Sequence, residues 1–155
     1  MDRHTYNSGI IGNCAFMAHV NLNTNISWLC WPKFDSDFVF GGMLDEENNG
    51  LFTILPEGDY TSEQYYLENT NVLVTEVTCA GGKYRITDFA PRFRLYERYY
   101  RPLMLIRKIE RLEGYPWVRV ACSPVGEYGT RKLQPLTGSN HIEFAGLSQP
   151  LRRTR

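Results

Sequence analysis

Short runs of alternating apolar and polar residues recur along this chain, separated by clusters of Gly, Pro, Asn and Asp. That rhythm predicts β-strands. The clearest signal is a hairpin: residues 72–79 are β-rich, Gly81 and Gly82 supply a turn that tolerates positive φ, and residues 84–89 resume the extended pattern. In the first arm Leu73, Thr75 and Val77 face one way and Val72, Val74 and Glu76 the other. Neither face is cleanly polar, so both are expected to be covered. Residues 117–122 read as a second strand, ended by Ser123 and Pro124. Residues 9–20 and 26–31 are expected to pair across the polar turn 21–25, with weaker strands at 51–55 and 141–144.

Two stretches fit more than one element. Residues 37–44 suit a short helix with Ser36 or Asp35 as its N-cap. Residues 103–112 put Leu105, Ile109 and Leu112 at helical spacing but also alternate, and strand is preferred because the neighbours are strands. Many short strands between turn clusters indicate an all-β chain, an antiparallel sandwich with at most one short helix.

Composition narrows what such a chain does. At 155 residues it has the length of a single domain, without internal repeats or low-complexity linkers. Lys+Arg and Asp+Glu both number 17, and that balance argues against a nucleic-acid binder or a polybasic membrane-surface protein. No apolar run is long enough to span a bilayer, and the polar start, residues 1–7, leads into no secretory signal. Cys14, Cys30, Cys79 and Cys122 are widely spaced, without the pairing that zinc or redox motifs need. They read as small buried hydrophobes in a cytoplasmic protein, with no metal and no cofactor expected. Residues 151–155 end without a cap or turn, so 1–155 is expected to be one domain, incomplete at its C-terminal end.

Candidate chemistry is sparse. His4, His19 and His141 are isolated, and no Gly-x-Ser-x-Gly elbow is present. Gly9-Ile10-Ile11-Gly12 lacks the end of a phosphate loop and reads as a bend where backbones approach closely. Glycosidic chemistry needs two carboxylates, one of them in an apolar setting that raises its pKa. Asp35, between Phe34 and Ser36 and near Trp31, has the only neighbours suggesting such a place, although capping the next turn is its plainer role. Asp37 lies on the same face of an extended chain, Asp45-Glu46-Glu47 reads as a solvated turn, and Asp88 closes a strand. Trp28, Trp31 and Phe34 with Lys33 and Asp35 resemble a sugar-stacking platform, with at most one of the two tryptophans serving and core packing the plainer alternative. Arg152, Arg153 and Arg155 form a short basic tail that specifies no partner. No catalytic residue is assigned.

Four segments together carry a resemblance: Ile11-Gly12-Asn13-Cys14; residues 26–36 with Trp28-Leu29-Cys30-Trp31-Pro32-Lys33-Phe34-Asp35-Ser36; Tyr66-Leu67-Glu68-Asn69-Thr70-Asn71-Val72-Leu73; and Arg85-Ile86-Thr87-Asp88-Phe89-Ala90-Pro91. Val39-Phe40-Gly41-Gly42-Met43-Leu44, Ile106-Arg107-Lys108-Ile109 and Tyr128-Gly129 continue it. The chain resembles the amino-terminal domain of bacterial and archaeal glycoside hydrolase family 15 proteins, the glucoamylase- and trehalase-like enzymes. The resemblance implies an antiparallel β-supersandwich preceding an (α/α) barrel that holds both catalytic glutamates and hydrolyses α-glucosidic bonds. It makes this chain a non-catalytic domain whose partner is that barrel, with α-glucan or trehalose as the ligand of the whole. Trp31, Lys33, Phe34, Asp35 and Ser36 are then candidates for the pocket rim or the domain interface. A stand-alone carbohydrate-binding or assembly module is the alternative, and a homo-oligomer stays open. Asp37 stands where the family often has Pro, and Gly41-Gly42 departs from its more helix-friendly residues.

Overall fold

The computed structural model describes residues 7–154. His4, the stretch 1–6 and Arg155 lie outside the described residues. The first sheet is antiparallel in the order β1 (Ser8–Gly12), β2 (Met17–Asn21), β3 (Ile26–Cys30) and β4 (Phe38–Phe40). Next come β5 (Leu51–Pro56), β6 (Tyr60–Tyr66), β7 (Leu73–Cys79), β8 (Gly82–Phe89), β9 (Phe93–Leu95), β10 (Arg98–Tyr100), β11 (Ile106–Gly114) and β12 (Val118–Ser123). The second four-stranded sheet runs β11-β8-β7-β6, while β5 pairs with β12 and β9 with β10. The remaining strands are β13 (Val125–Gly126), β14 (Arg131–Lys132), β15 (Gln134–Thr137), β16 (His141–Ala145) and β17 (Leu151–Thr154). Of these, β13 pairs with β14, and β16 lies between β15 and β17. Among the described residues the one helical element is a 3-10 turn at Glu127–Gly129. The all-β antiparallel sandwich expected from the pattern is what forms.

Two details differ from the pattern. Residues 9–20 are not one strand. They fold back at 13–16 into the β1–β2 hairpin, and Gly12 leaves room for the close approach of the Phe16 backbone, a Cβ there standing 2.6 Å from the Phe16 carbonyl oxygen. Residues 37–44 form no helix: Phe38, Val39 and Phe40 are all buried as β4, and residues 41–44 turn away. Three consecutive large apolar side chains are better covered from both faces of a sheet edge than along one helical stripe. The central hairpin is as expected, displaced by one residue. Cys79 pairs with Gly82, so Ala80 and Gly81 make the turn. Gly82 sits at φ +134 with the Glu113 carbonyl where a Cβ would stand, a place for glycine alone.

Alternation along the strands builds the core. On β2, Ala18 and Val20 point inward; on β8, Tyr84, Ile86 and Asp88 do. One cluster joins Ile11, Phe16, Val20, Ile26, Leu29 and Phe40 of the first sheet region with Leu73 from β7. A second joins Ile54 of β5 with Val77, Tyr84 and Ile86. Polar clips hold the layers in register. Thr24 Oγ1 donates to the Ile54 carbonyl (3.0 Å) and accepts from the Ile54 amide (2.9 Å), and Tyr84 Oη donates to the same carbonyl (3.1 Å).

Asp88 is the buried end of the inward row on β8, directly opposite Arg107 on β11. Arg107 Nε and Nη2 donate to its two oxygens at 2.9 and 3.1 Å. The same guanidinium donates to the Phe52 carbonyl of β5 (2.7 Å) and the Thr24 carbonyl of the β2–β3 turn (2.6 Å). One side chain thereby ties three sheets together.

On the outer face of the second sheet, Glu76 accepts from Arg85 (2.7 Å), Lys83 and Tyr65 Oη (3.0 Å). These donors, Lys83 first, hold its carboxyl down at about 2, against an ordinary 4.5. A carboxyl depressed in the folded state adds stability above its unfolded pKa, and that stability is lost as pH falls through the folded value. Glu76→Gln is therefore expected to lower stability near pH 7 by no more than about 1 kcal/mol, the cluster being partly solvated. The difference should vanish near pH 2. Urea midpoints of the two proteins at both pH values check this; equal midpoints at pH 7 would remove the cluster from the stability account.

Candidate functional site

The residues singled out by sequence occupy the loop between β3 and β4. Its base is closed by the Trp31 amide donating to the Asp37 carbonyl (3.1 Å). Its tip is a tight turn, with Ser36 N–H donating to the Lys33 carbonyl (3.2 Å) and Lys33 N–H to Ser36 Oγ (3.3 Å). Ser36 thus shapes the turn, and Lys33, Phe34 and Asp35 are presented outward. Phe34 is 53% exposed. The carboxylate of Asp35 stands in solvent rather than in the apolar setting that sequence suggested for it, and no helix follows for it to cap.

Trp31 goes the other way. It lies beyond the end of β3, half-buried, with its ring edge-on to Phe16 at 5.6 Å. Its indole N–H is buried and has no acceptor among the described residues. Trp28, in contrast, packs on Phe38 at 5.5 Å. The two tryptophans are not a joint platform.

Trp31 also borders an apolar cavity of about 870 Å³ between the sheets, walled by Phe40, Phe52, Leu103, Leu105 and Val120 among others. The charged residues lining it are Arg107, Arg152 and Arg153, with no carboxylate. Burial pushes the thiol of Cys122, on the same wall, up to about 11, so it is a neutral hydrophobe rather than a nucleophile. Cys30 is raised by burial too. Among the described residues no cluster of His, Cys, Asp and Glu is arranged to hold a metal ion. His19 is half-buried on β2, and burial lowers its pKa by disfavouring the charged imidazolium. No described helix is long and apolar enough to cross a membrane.

A feature the sequence reading passed over lies at the same end of the first sheet. Asn13, 1% exposed, donates through Nδ2 to the carbonyls of Pro91 (3.1 Å) and Pro102 (2.8 Å). These are the two feet of the β9–β10 hairpin. Asn13 Oδ1 accepts from the Ala15 amide, fixing the side chain, and Arg92 Nη1 reaches Cys14 Sγ at 3.1 Å. The segment 11–14 therefore clamps the hairpin, and Phe16 just after it supports Trp31. Asn13 sat inside a quoted motif, but nothing local to it signals partners 78 and 89 residues away.

The profile of the trehalase-like N-terminal family matches residues 2–153. A trehalase of Thermoplasma volcanium is 45% identical over 87 residues, 54% of this chain and 14% of that protein. A trehalase of Thermoplasma acidophilum is 44% identical over 75 residues, 46% of this chain and 13% of that protein. Trehalase 1 of Sulfolobus acidocaldarius is 44% identical over 84 residues, again 54% of this chain and 14% of the relative. The matched stretch is thus about a seventh of the relatives' length. No solved structure matches. With the profile spanning nearly every residue of this β-sandwich, the chain belongs to the trehalase-like N-terminal family.

Proposed function

We propose that this chain is the non-catalytic N-terminal sandwich of a longer glycoside hydrolase of family 15 type, which cleaves α-glucosidic bonds such as that of trehalose. In this reading it packs on a catalytic domain and lends the loop of Trp31, Lys33, Phe34, Asp35 and Ser36 to the domain interface or pocket rim. The observation that carries it is that no carboxylate lines the 870 Å³ cavity between the sheets, in a chain whose relatives, named trehalases, are about seven times longer than the matched part. A hydrolase needs a general acid and a partnering carboxylate across a cleft. The 870 Å³ apolar cavity supports the further reading that the sandwich continues past residue 155 and fills it. Four free cysteines suit the reducing cytoplasm, where we place the protein.

The chain alone is expected to release no glucose from trehalose, maltose or soluble α-glucan. The protein read from the coding DNA through and beyond residue 155 is expected to release it from at least one of them. Turnover by the chain alone that is lost in Asp35→Asn would overturn the reading. A carbohydrate-binding module is the second reading, favoured by the outward Phe34 ring. Saturable calorimetric binding of maltoheptaose, lost in Phe34→Ala, would support it instead.

A further inference from the structure

The β9–β10 hairpin is unlike the rest of the domain. Every residue of both strands is exposed, although aromatic and aliphatic side chains crowd it. Residues 92–101 hold four arginines, Arg92, Arg94, Arg98 and Arg101, against one glutamate, Glu97, in a chain of net charge +0. Between them stand Phe93, Tyr96, Tyr99 and Tyr100, with Tyr96 91% and Tyr99 66% exposed. Aromatics of this size and exposure leave on the order of several hundred Å² of apolar surface uncovered, the size at which patches mark interaction sites.

An isolated two-stranded ribbon is marginal in water, yet this one is held in shape. Asn13 grips both feet, Phe93 packs on its cross-strand partner Tyr100 at 5.2 Å, and Arg92 lies 5.1 Å from the centre of the Tyr99 ring. A preorganised arm loses little entropy on docking, and exposed Tyr and Arg are the side chains that dominate interface energies.

We propose that this arm docks on an acidic, ring-accepting face of the catalytic domain that the preceding subsection assigns to the longer protein, a reading on which this inference rests. Charge selects that occupant. A neutral glucan has no use for four arginines, and an isologous contact between two copies would set the arginines of one against those of the other. The arm also rises from the clamp at residues 11–14, next to Phe16 and the Trp31 loop, so both elements face the same neighbour.

Trypsin reads the proposal directly, because it cuts after Arg92, Arg94 and Arg98. Cleavage there is expected to be fast in the chain alone and at least about tenfold slower in the active longer protein, where docking must open first. In the longer protein Arg94→Glu/Arg98→Glu should return cleavage after Arg92 to the rate of the free chain, while Arg94→Lys/Arg98→Lys should keep the protection. Both positions are exposed, so folding is not at stake. Equal cleavage in the chain and in a longer protein that releases glucose overturns the docking arm and leaves the proposed function standing. Protection of the chain alone with dimers in light scattering, or its protection by maltoheptaose, overturns the choice of occupant. Protection in a longer protein that hydrolyses no α-glucoside keeps the arm and removes the hydrolase reading; a gene that encodes nothing beyond this domain removes both.

Discussion

Arg107→Met should destabilise this domain by about 3–5 kcal/mol, the cost of stranding one member of a buried ion pair. The Arg107 side chain is 3% exposed and that of Asp88 is 0% exposed. Without the guanidinium, the Asp88 carboxylate loses both charged donors, and the Phe52 and Thr24 carbonyls lose theirs as well. The Phe52 ring, 4.8 Å from the guanidinium, loses its cationic neighbour. Against a total of about 5–15 kcal/mol for an ordinary domain, this is a large fraction. Urea unfolding followed by far-UV circular dichroism reads it as a fall in midpoint on the order of 1–3 M. Asp88→Leu/Arg107→Met removes both charges and should recover much of the loss, since a paired apolar replacement leaves no orphaned charge. A loss below about 1 kcal/mol for Arg107→Met would mean that the three sheets do not depend on this side chain.

Phe16→Ala is expected to cost a similar amount, about 3–5 kcal/mol, through the cavity left by a ring that is 1% exposed. Its second effect is local. Phe16 is the edge-on support of Trp31, and such ring pairs contribute about 0.5–1.5 kcal/mol beyond area burial. Removing it should release the loop that presents Lys33, Phe34 and Asp35. With 5-fluorotryptophan incorporated, the ¹⁹F resonance of Trp31, assigned through Trp31→Phe, should shift and broaden while that of the exposed Trp117 stays. An unmoved Trp31 signal in a destabilised protein would separate the loop from the core beneath it. The two substitutions test different connections: one across the sheets, the other from the core to the candidate surface.

Strand positions were largely legible from local pattern. Residues 72–79 and 84–89 announce a hairpin because both arms are β-branched and a glycine pair lies between them. Residues 103–112 were readable as strand only from their neighbours, and β11 forms there. The same reasoning failed at 37–44, where an N-cap candidate ahead of an apolar run suggested a helix, against the demand for burial of three adjacent residues in β4. It also failed at Asp35, whose apolar neighbours in sequence point elsewhere: Trp31 turns inward to Phe16, and Phe34 outward. Adjacency along a turn says nothing about the side to which each residue points.

The β9–β10 arm was written in the sequence as alternating arginines and rings, but its exposure was not. An aromatic run of that kind is ordinary core material. Only the absence of a facing layer makes it a surface, and layers are set by long-range contacts.

Alternation of period two, turn residues and the recurrence of family segments are local quantities, and from them the all-β class and the family follow without coordinates. Which buried polar groups meet is not local. Asp88 finds Arg107 through strand register, Arg107 finds Thr24 83 residues away through sheet stacking, and Asn13 closes the feet of a hairpin near the middle of the chain. Such pairings form because a desolvated polar group must be satisfied wherever packing leaves it, and the place is known only once every layer is in position.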